Sequence, residues 1–314
     1  MPSPSLNIST LTVPDPVPRM RLDRWLSGQF SGHSRTEIQN WIKSGDVRSP
    51  GTALRSGTLV SPGMVIEVRI PESTAHATPV AEDLPLEVLY EDEDLIALNK
   101  HPGQVVHPAP GHPQGTVLNA MLFRYPEISG VGDDQRPGLV HRLDSGTSGV
   151  LLFARNEESL KKLQELFKQR KVKKTYHAIC HGIPKPFEQT IDLPIGRHPV
   201  HRQKRAINGS SPRSAVSHIR LCKGVAAGTG GLVEVQIETG RTHQIRVHLA
   251  HVGHPVIGDH TYGGKKAQFS GPWPKAGRVM LHAKCLELPH PVSGEHFRVE
   301  APYADDMKSF LEQL

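Results

Sequence analysis

The chain is poor in cysteine. Cys180, Cys222 and Cys285 stand far apart and form no C-x-x-C pair. That argues against a disulfide framework or a thiolate zinc site, and it suits a reducing cytoplasm. Long apolar runs are also missing. None approaches the roughly 18–20 residues that a membrane span needs, so no membrane association is expected. No Lys or Arg precedes Arg19, so neither a secretory signal nor an Arg-rich transit peptide fits the N-terminus. Aromatic residues make up only 5% of the chain, so few side chains could stack on a nucleobase.

What is present is ordinary for a soluble protein, apart from a surplus of Gly and Pro and a net charge of +6 at pH 7. The Gly and Pro content implies many turns. The positive charge fits a nucleic-acid partner without requiring one. A length of 314 residues allows one large domain and a smaller one.

Residues 1–17, rich in Pro, Ser and Thr, read as a disordered tail. Leu22, Trp25, Leu26 and Phe30 then recur at helical spacing. Ser34-Arg35-Thr36-Glu37 has the form of a capping box for a second helix, with Ile38, Trp41 and Ile42 inward and Gly45 at its end. Alternation from Met64 to Ile70 predicts a strand. Residues 18–72 thus form one small α/β unit, with Arg35, Lys43 and Arg48 left for its outer face. Residues 73–83 read as a linker.

A larger domain is expected over 84–314. Strands are predicted at Leu84–Tyr90 and Leu95–Leu98, a short helix capped by Thr116, and a helix from Asn156 burying Leu160, Leu163, Leu166 and Phe167. The stretch "KQRKVKK" follows, then a strand over Thr175–Cys180, a basic loop "HRQKR" at 201–205, a strand ending at Gly240, and a helix from near Thr242. Many strands interleaved with few helices, without regular βαβ alternation, predict an α+β fold with a mainly antiparallel mixed sheet flanked by helices and loops.

Three constellations could carry chemistry. The first is "HRLDSGTSGV" at 141–150, where a turn of small residues after Asp144 feeds a buried strand. Backbone N–H groups and hydroxyls of such a turn can hold a carboxylate and aim it. The bland alternative is a loop salt bridge between Arg142 and Asp144. The tripeptide Arg21-Leu22-Asp23 repeats the letters in a helical first turn, where the carboxylate simply complements the dipole.

The second is "TGRTHQIRVHLAHVGHPVIGD" at 239–259. Arg241 stands before the predicted helix, placed to reach a carboxylate on another element, or a phosphate. His248, His251 and His254 recur at three-residue steps, with His243 and Asp259 nearby. They drift around the helix and no H-E-x-x-H pattern appears, so no metal is expected. The third is Tyr176, which follows the dense basic stretch. It could stack on a base or pack as an ordinary strand tyrosine.

Together these segments resemble the RluA/RluD-type pseudouridine synthases. "HRLDSGTSGVLLFARN", "KKTYHAICHG", "ETGRTHQIRVHLAHVGHPVIGDHTYG" and "LHAKCLEL" are similar to that family's motifs and come in its order, and "YEDEDLIALNKHPGQVVHPAPGH" fits its opening strands. "RLDRWLSGQFSGHSRTEIQNWIKSGDV" resembles the small RNA-binding module named after ribosomal protein S-four.

The resemblance implies an isomerase, without cofactor or metal, that breaks the N-glycosidic bond of a uridine in RNA and rejoins the base through ring carbon five. Asp144 would act as nucleophile at the sugar or as a base on it. Arg241 would pair with Asp144, and Tyr176 would stack on the flipped base and help remove the carbon-five proton. His141, Arg142, Arg35, Lys43, Arg170, Lys171, Lys173, Lys174, Arg202, Lys204 and Arg205 would contact RNA. Large-subunit ribosomal RNA is the expected substrate and a cytoplasmic monomer the expected form. Transfer RNA, a non-catalytic RNA-binding role in ribosome assembly, and a zinc hydrolase built on the histidines are the alternatives.

Overall fold

The computed structural model describes residues 7–30, 33, 35–70, 78–109, 111–201, 203–225, 229–263 and 276–312. The chain divides into two compact units, Met1–Thr78 and Pro79–Leu314.

The first unit holds β1 (Asn7–Thr12), α1 (Leu22–Gln29), α2 (Arg35–Ser44), β2 (Val47–Arg48) and β3 (Val65–Ile70). Its antiparallel sheet runs β1-β3-β2. The expectation of a disordered tail over 1–17 is corrected for Asn7–Thr12, because β1 pairs along the whole of β3, from Asn7 opposite Ile70 to Thr12 opposite Val65; residues 1–6 lie outside the described residues. Thr and Ile are good strand formers on a half-buried surface, and Leu11 and Val13 pack on the small core. Ser34, the expected cap of α2, lies outside the described residues.

Asp23 does more than complement a helix dipole. It is fully buried and accepts hydrogen bonds from Arg21, Arg35 and Gln39. Burial alone would raise its pKa, but the bonds from Arg35, Gln39 and Arg21 outweigh that and bring it to about 2. Arg35 therefore ties α2 to the start of α1, while its side chain stays half exposed.

The second unit begins earlier than the expected 84. Asn119 Nδ2 donates to the Val80 carbonyl (2.6 Å), the Glu82 N–H donates to the Asn119 carbonyl (3.0 Å), and the Gly115 N–H donates to the Glu82 carboxylate (3.1 Å). Residues 79–83 are thus stitched to this unit rather than serving as linker; 71–77 lie outside the described residues.

Its elements are β4 (Val88–Glu91), β5 (Leu95–Lys100), α3 (Val117–Arg124), β6 (Ser148–Ala154), α4 (Glu157–Lys168), β7 (Lys173–His181) and β8 (Glu188–Asp192). Then come β9 (Ile195–Arg197), β10 (Arg205–Ile207), β11 (Ser210–Arg213), β12 (Val216–Val225) and β13 (Gly230–Ile237). The unit ends with α5 (Gln244–His251), β14 (Leu281–Pro289), β15 (His296–Glu300) and α6 (Asp305–Glu312). A nine-stranded sheet runs β4-β5-β6-β14-β7-β13-β12-β8, with β15 also on β14. Every pairing in it is antiparallel except β6 with β14. The expected α+β fold with a mainly antiparallel mixed sheet is what the chain adopts.

β5 and β6 are interior strands of the sheet and are buried on both faces. Ile96, Leu98, Leu151 and Phe153 enter one core, while Leu95, Ala97, Val150, Leu152 and Ala154 enter the other, against α4. A strand covered on both sides needs an unbroken apolar run, and "VLLFA" is one. The parallel step of β6 against β14 needs Gly149. Its φ is +108°, and a Cβ there would stand 2.2 Å from the Ala283 carbonyl oxygen. The turn that precedes β6 is therefore anchored to a rigid strand at its C-terminal end.

The short strands β9, β10 and β11 form a separate three-stranded sheet against α5, with Ile195, Ala215 and Val247 in its core. Sequence patterning identified only a basic loop here, because strands of three or four residues are too short to show a period.

Candidate active site

Asp144 stands on the turn between Leu143 and β6, at the meeting of two cavities of about 110 and 610 Å³. The smaller is walled by Tyr176, Ile237, Ile245 and Leu281; the larger is lined by polar residues that include Arg142, Lys204, His260 and Arg278. Tyr176, on β7, faces the smaller cavity and is 9% exposed. Burial, and secondarily the charge of Asp144, push its pKa well above the usual phenol range. Tyr176 is thus a phenol at neutral pH, able to relay a proton but not standing as a pre-formed base.

The turn is held by its carbonyls rather than through the carboxylate. The Thr147 N–H donates to Asp144 O (3.0 Å), Gly103 N–H and Lys100 Nζ donate to Ser145 O (2.8 and 3.0 Å), and Arg278 Nη1 donates to Gly146 O (3.0 Å). This corrects the expectation that turn N–H groups cradle the Asp144 side chain. The partners of that side chain come from 243–246 instead. Arg246 Nη1 donates to Asp144 Oδ2 (3.2 Å), and His243 Nε2 lies 3.7 Å from the same oxygen.

Arg246, and not Arg241, is therefore the guanidinium that pairs with Asp144. The reason is helical geometry. Arg246 lies within the first turn of α5, on its buried side, and is itself clamped by Asp259, with Nε to Oδ2 at 2.7 Å and Nη2 to Oδ1 at 3.0 Å. Arg241 precedes the helix, and its Nε donates to the Ser214 carbonyl (3.0 Å), although it still lines the smaller cavity. The alternative reading, a loop salt bridge between Arg142 and Asp144, is likewise not formed; Arg142 is exposed at the rim of both cavities. A fork-shaped donor held bidentately by one carboxylate has its remaining N–H aimed, which favours Arg at this position over Lys.

Lys100, at the end of β5, was not among the sequence candidates. Its side chain is almost wholly buried, and it donates to the His101 carbonyl (2.8 Å) as well as to Ser145 O. Burial first, then the charge of Arg278, lower its pKa to about 7, with Asp144 opposing. A base whose folded pKa is lowered binds fewer protons folded than unfolded. The stability of this unit should therefore rise between pH 7 and about 10 through this group. Lys100→Met should flatten that rise, read as the denaturation midpoint across the same pH range. An unchanged slope would remove Lys100 as its source.

The expected RNA contacts divide. Lys43, Arg142 and Lys171 are exposed. Arg170 pairs with Glu238 at 3.3 Å and Lys173 with Glu287 at 3.0 Å, both at the surface. Lys174 is buried, donates to the Glu238 carbonyl (3.2 Å) and lies over the Phe167 ring, so its reading as a phosphate contact is corrected. His141 is corrected too. Its Nε2 accepts from the Leu152 N–H (3.0 Å), which needs a neutral ring; burial lowers its pKa to about 3, and the ring stacks on Phe167. Lys204 Nζ donates to the Thr261 carbonyl (3.0 Å) and Arg202 lies outside the described residues.

A basic cavity of about 580 Å³ adjoins the smaller one through Gly240, Arg241 and Thr242. Arg197, Arg205, Arg213 and Arg241 line it, and among the described residues no acidic one does. Arg197 and Arg213 were not sequence candidates, because separate strands bring them together.

The histidines do not converge. His248 Nδ1 is bonded to Ser217 Oγ (2.9 Å) and its Nε2 to the Leu193 carbonyl (3.0 Å), while His254 Nδ1 is on the His181 carbonyl (2.9 Å). Asp92, Asp94 and His290 do lie close together, but Asp92 already accepts from Tyr90, His290 and the N–H groups of Asp94 and Leu95.

Comparison with known proteins decides the family. The pattern described as RNA pseudouridylate synthase matches residues 94–251. The chain belongs to the RNA pseudouridine synthase family, in its RluA/RluD branch. It is 42% identical to an uncharacterized RNA pseudouridine synthase of Synechocystis over 94% of this chain and 89% of that one. It is 40% identical to ribosomal large subunit pseudouridine synthase D of Pseudomonas aeruginosa, over 96% of this chain and 94% of that one. The solved structure of human RNA pseudouridylate synthase domain containing 1 is similar at 29% identity and a TM-score of 0.58, covering 71% of this chain and 85% of that one. Both cavities around Asp144 lie largely on segments inside the matched span, with Leu281 of β14 completing the smaller and residues 258–261, Arg278 and Val279 the larger.

Proposed function

We propose that this chain isomerises uridine to pseudouridine in large-subunit ribosomal RNA, with Asp144 as the reacting carboxylate. The observation that carries the reading is the placement of that carboxylate, fixed by the clamped guanidinium of Arg246 at the mouth of a small cavity walled by Tyr176. Such a cavity suits one planar base. A uridine must leave its stack to enter it, at a cost of a few kcal/mol, which favours loops and ends.

Substrate and product are isomers, so no redox partner or outside nucleophile is needed. The C1′–N1 bond breaks, the base turns, a C1′–C5 bond forms, and the proton on ring carbon five departs as N1 gains one. Asp144 serves the sugar, as nucleophile or as base. Tyr176 stacks on the base and relays the carbon-five proton. Arg197, Arg205, Arg213 and Arg241 grip the phosphates beside the target, with Arg142, Lys171 and the N-terminal unit, read as the S-four-like module, adding contacts. Support for the ribosomal substrate comes from the relative named for the large subunit. A monomer acting in the cytoplasm during ribosome biogenesis suits three cysteines that are all free.

The test is tritium release from large-subunit ribosomal RNA transcribed with uridine tritiated at carbon five, followed by mapping of the modified position. Release at one or a few positions is expected. Release from transfer RNA alone would overturn the ribosomal assignment, and none from any RNA would overturn the activity.

A further inference from the structure

We infer that His243 is a positioning residue for Asp144, and that Tyr262 sets it by fixing which ring nitrogen carries the proton. The inference rests on Asp144 as the reacting carboxylate.

Among the described residues, His243 is one of four non-glycine residues with positive φ (60°), at the position just before α5. Left-handed backbone at a side-chain-bearing residue costs energy and persists where the surroundings impose it. Here it turns the imidazole into both cavities beside Asp144, with Nε2 3.7 Å from Oδ2.

The other face of the ring is already committed. His243 Nδ1 lies 2.7 Å from the Tyr262 hydroxyl, and that hydroxyl oxygen accepts the Arg205 N–H at 2.8 Å. With its oxygen accepting from Arg205, the phenol has one proton to give, and Nδ1 is the acceptor in reach. A neutral imidazole that accepts at Nδ1 carries its proton at Nε2, so the donor points at Asp144. Tyr262 is itself held: its N–H donates to Asp259 Oδ1 (3.1 Å), and its ring faces the Arg246 guanidinium, 5.1 Å from the ring centre. Burial, against the opposing charge of Asp144, lowers the pKa of His243, which agrees with a neutral ring. Asp259 thus orients Arg246 and Tyr262, and these two control the two donors that face one carboxylate oxygen. Arg246 supplies charge, and His243 supplies a second, directional N–H that closes on Oδ2 when the sugar arrives.

The variants separate the N–H from the backbone strain. Gln places its amide nitrogen near the position of Nε2. Asn tolerates positive φ better than Gln but is too short to reach Asp144. His243→Gly relieves the φ and keeps the fold, which thermal melting checks. Single-turnover tritium release and RNA affinity are to be measured for H243G, H243N, H243Q, Y262F and D144N. H243G and H243N should be slowed about 100-fold, the scale of one lost donor, with affinity within about three-fold of the parent. H243Q should recover to within about ten-fold of the parent, and Y262F should fall about ten-fold with its affinity kept. An H243N as fast as or faster than H243Q would make the residue a backbone feature and overturn the inference. Parental rates in all the 243 variants beside an inactive D144N would overturn it and leave the role of Asp144 standing. A fully active D144N would instead remove the reading on which it rests.

Discussion

Asp144→Asn should bind ribosomal RNA within about three-fold of the parent protein and release tritium at least ~10³-fold more slowly, the scale of removing a reacting group. The amide is nearly isosteric, so the 144–147 turn keeps the contacts that hold it, all of them to backbone carbonyls from Thr147, Gly103, Lys100 and Arg278. What changes is the carboxylate. An amide is a poor nucleophile and a poor base, and it cannot form the ion pair with Arg246. The fold and the RNA-binding surface are untouched, so affinity and catalysis should separate cleanly. A D144N protein that releases tritium at a rate near the parent's would show that another group performs the step at the sugar.

The second large effect is expected at Arg246. Arg246→Met should abolish turnover and also destabilise the second unit by about 3–5 kcal/mol, because it strands Asp259 as an unpaired buried carboxylate. Arg246→Lys should fare little better catalytically, since an ammonium cannot hold Asp259 bidentately and still reach Asp144. Arg241→Ala supplies the contrast. Its guanidinium is engaged with the Ser214 carbonyl and borders the arginine-lined cavity, so its loss should weaken RNA binding and lower its salt dependence. The rate at saturating RNA should stay within about three-fold. Denaturation midpoints and single-turnover rates for the three variants decide the matter. Inactivity of Arg241→Ala at saturating RNA, with Arg246→Met active, would restore the pairing expected from sequence and remove the one seen here.

Local patterning made much of the fold legible. The apolar run at Val150–Ala154 marked a buried strand, which the structure covers on both faces. The 3.6-residue spacing after Asn156 marked α4, and Thr116 capped α3 as expected, accepting from the Asn119 N–H. Each of these depends on residues within one turn or one strand of each other. The tail was misread because six residues whose apolar members, Ile8 and Leu11, stand three apart show no alternation, and their strand propensity is realised only when β3 lies beside them.

The amino-acid order by itself determined that a turn of small residues leads from Asp144 into a buried strand, that Tyr176 follows a basic stretch, and that an Arg/His-rich segment enters α5. Pairing was decided only by tertiary structure. "GRTHQIR" holds two arginines, and which one meets Asp144 depends on the angle at which α5 packs and on Asp259, thirteen residues beyond Arg246, to clamp it. The same holds for Lys174 and His141. Their letters read as RNA contacts, yet packing against Phe167 turns both inward, because burial and backbone partners are not properties of a residue's neighbours in sequence. The two copies of Arg-Leu-Asp show the same division. One carboxylate is closed off by Arg21, Arg35 and Gln39, and the other opens on two cavities, since folding alone decides whether solvent and substrate can reach a charge.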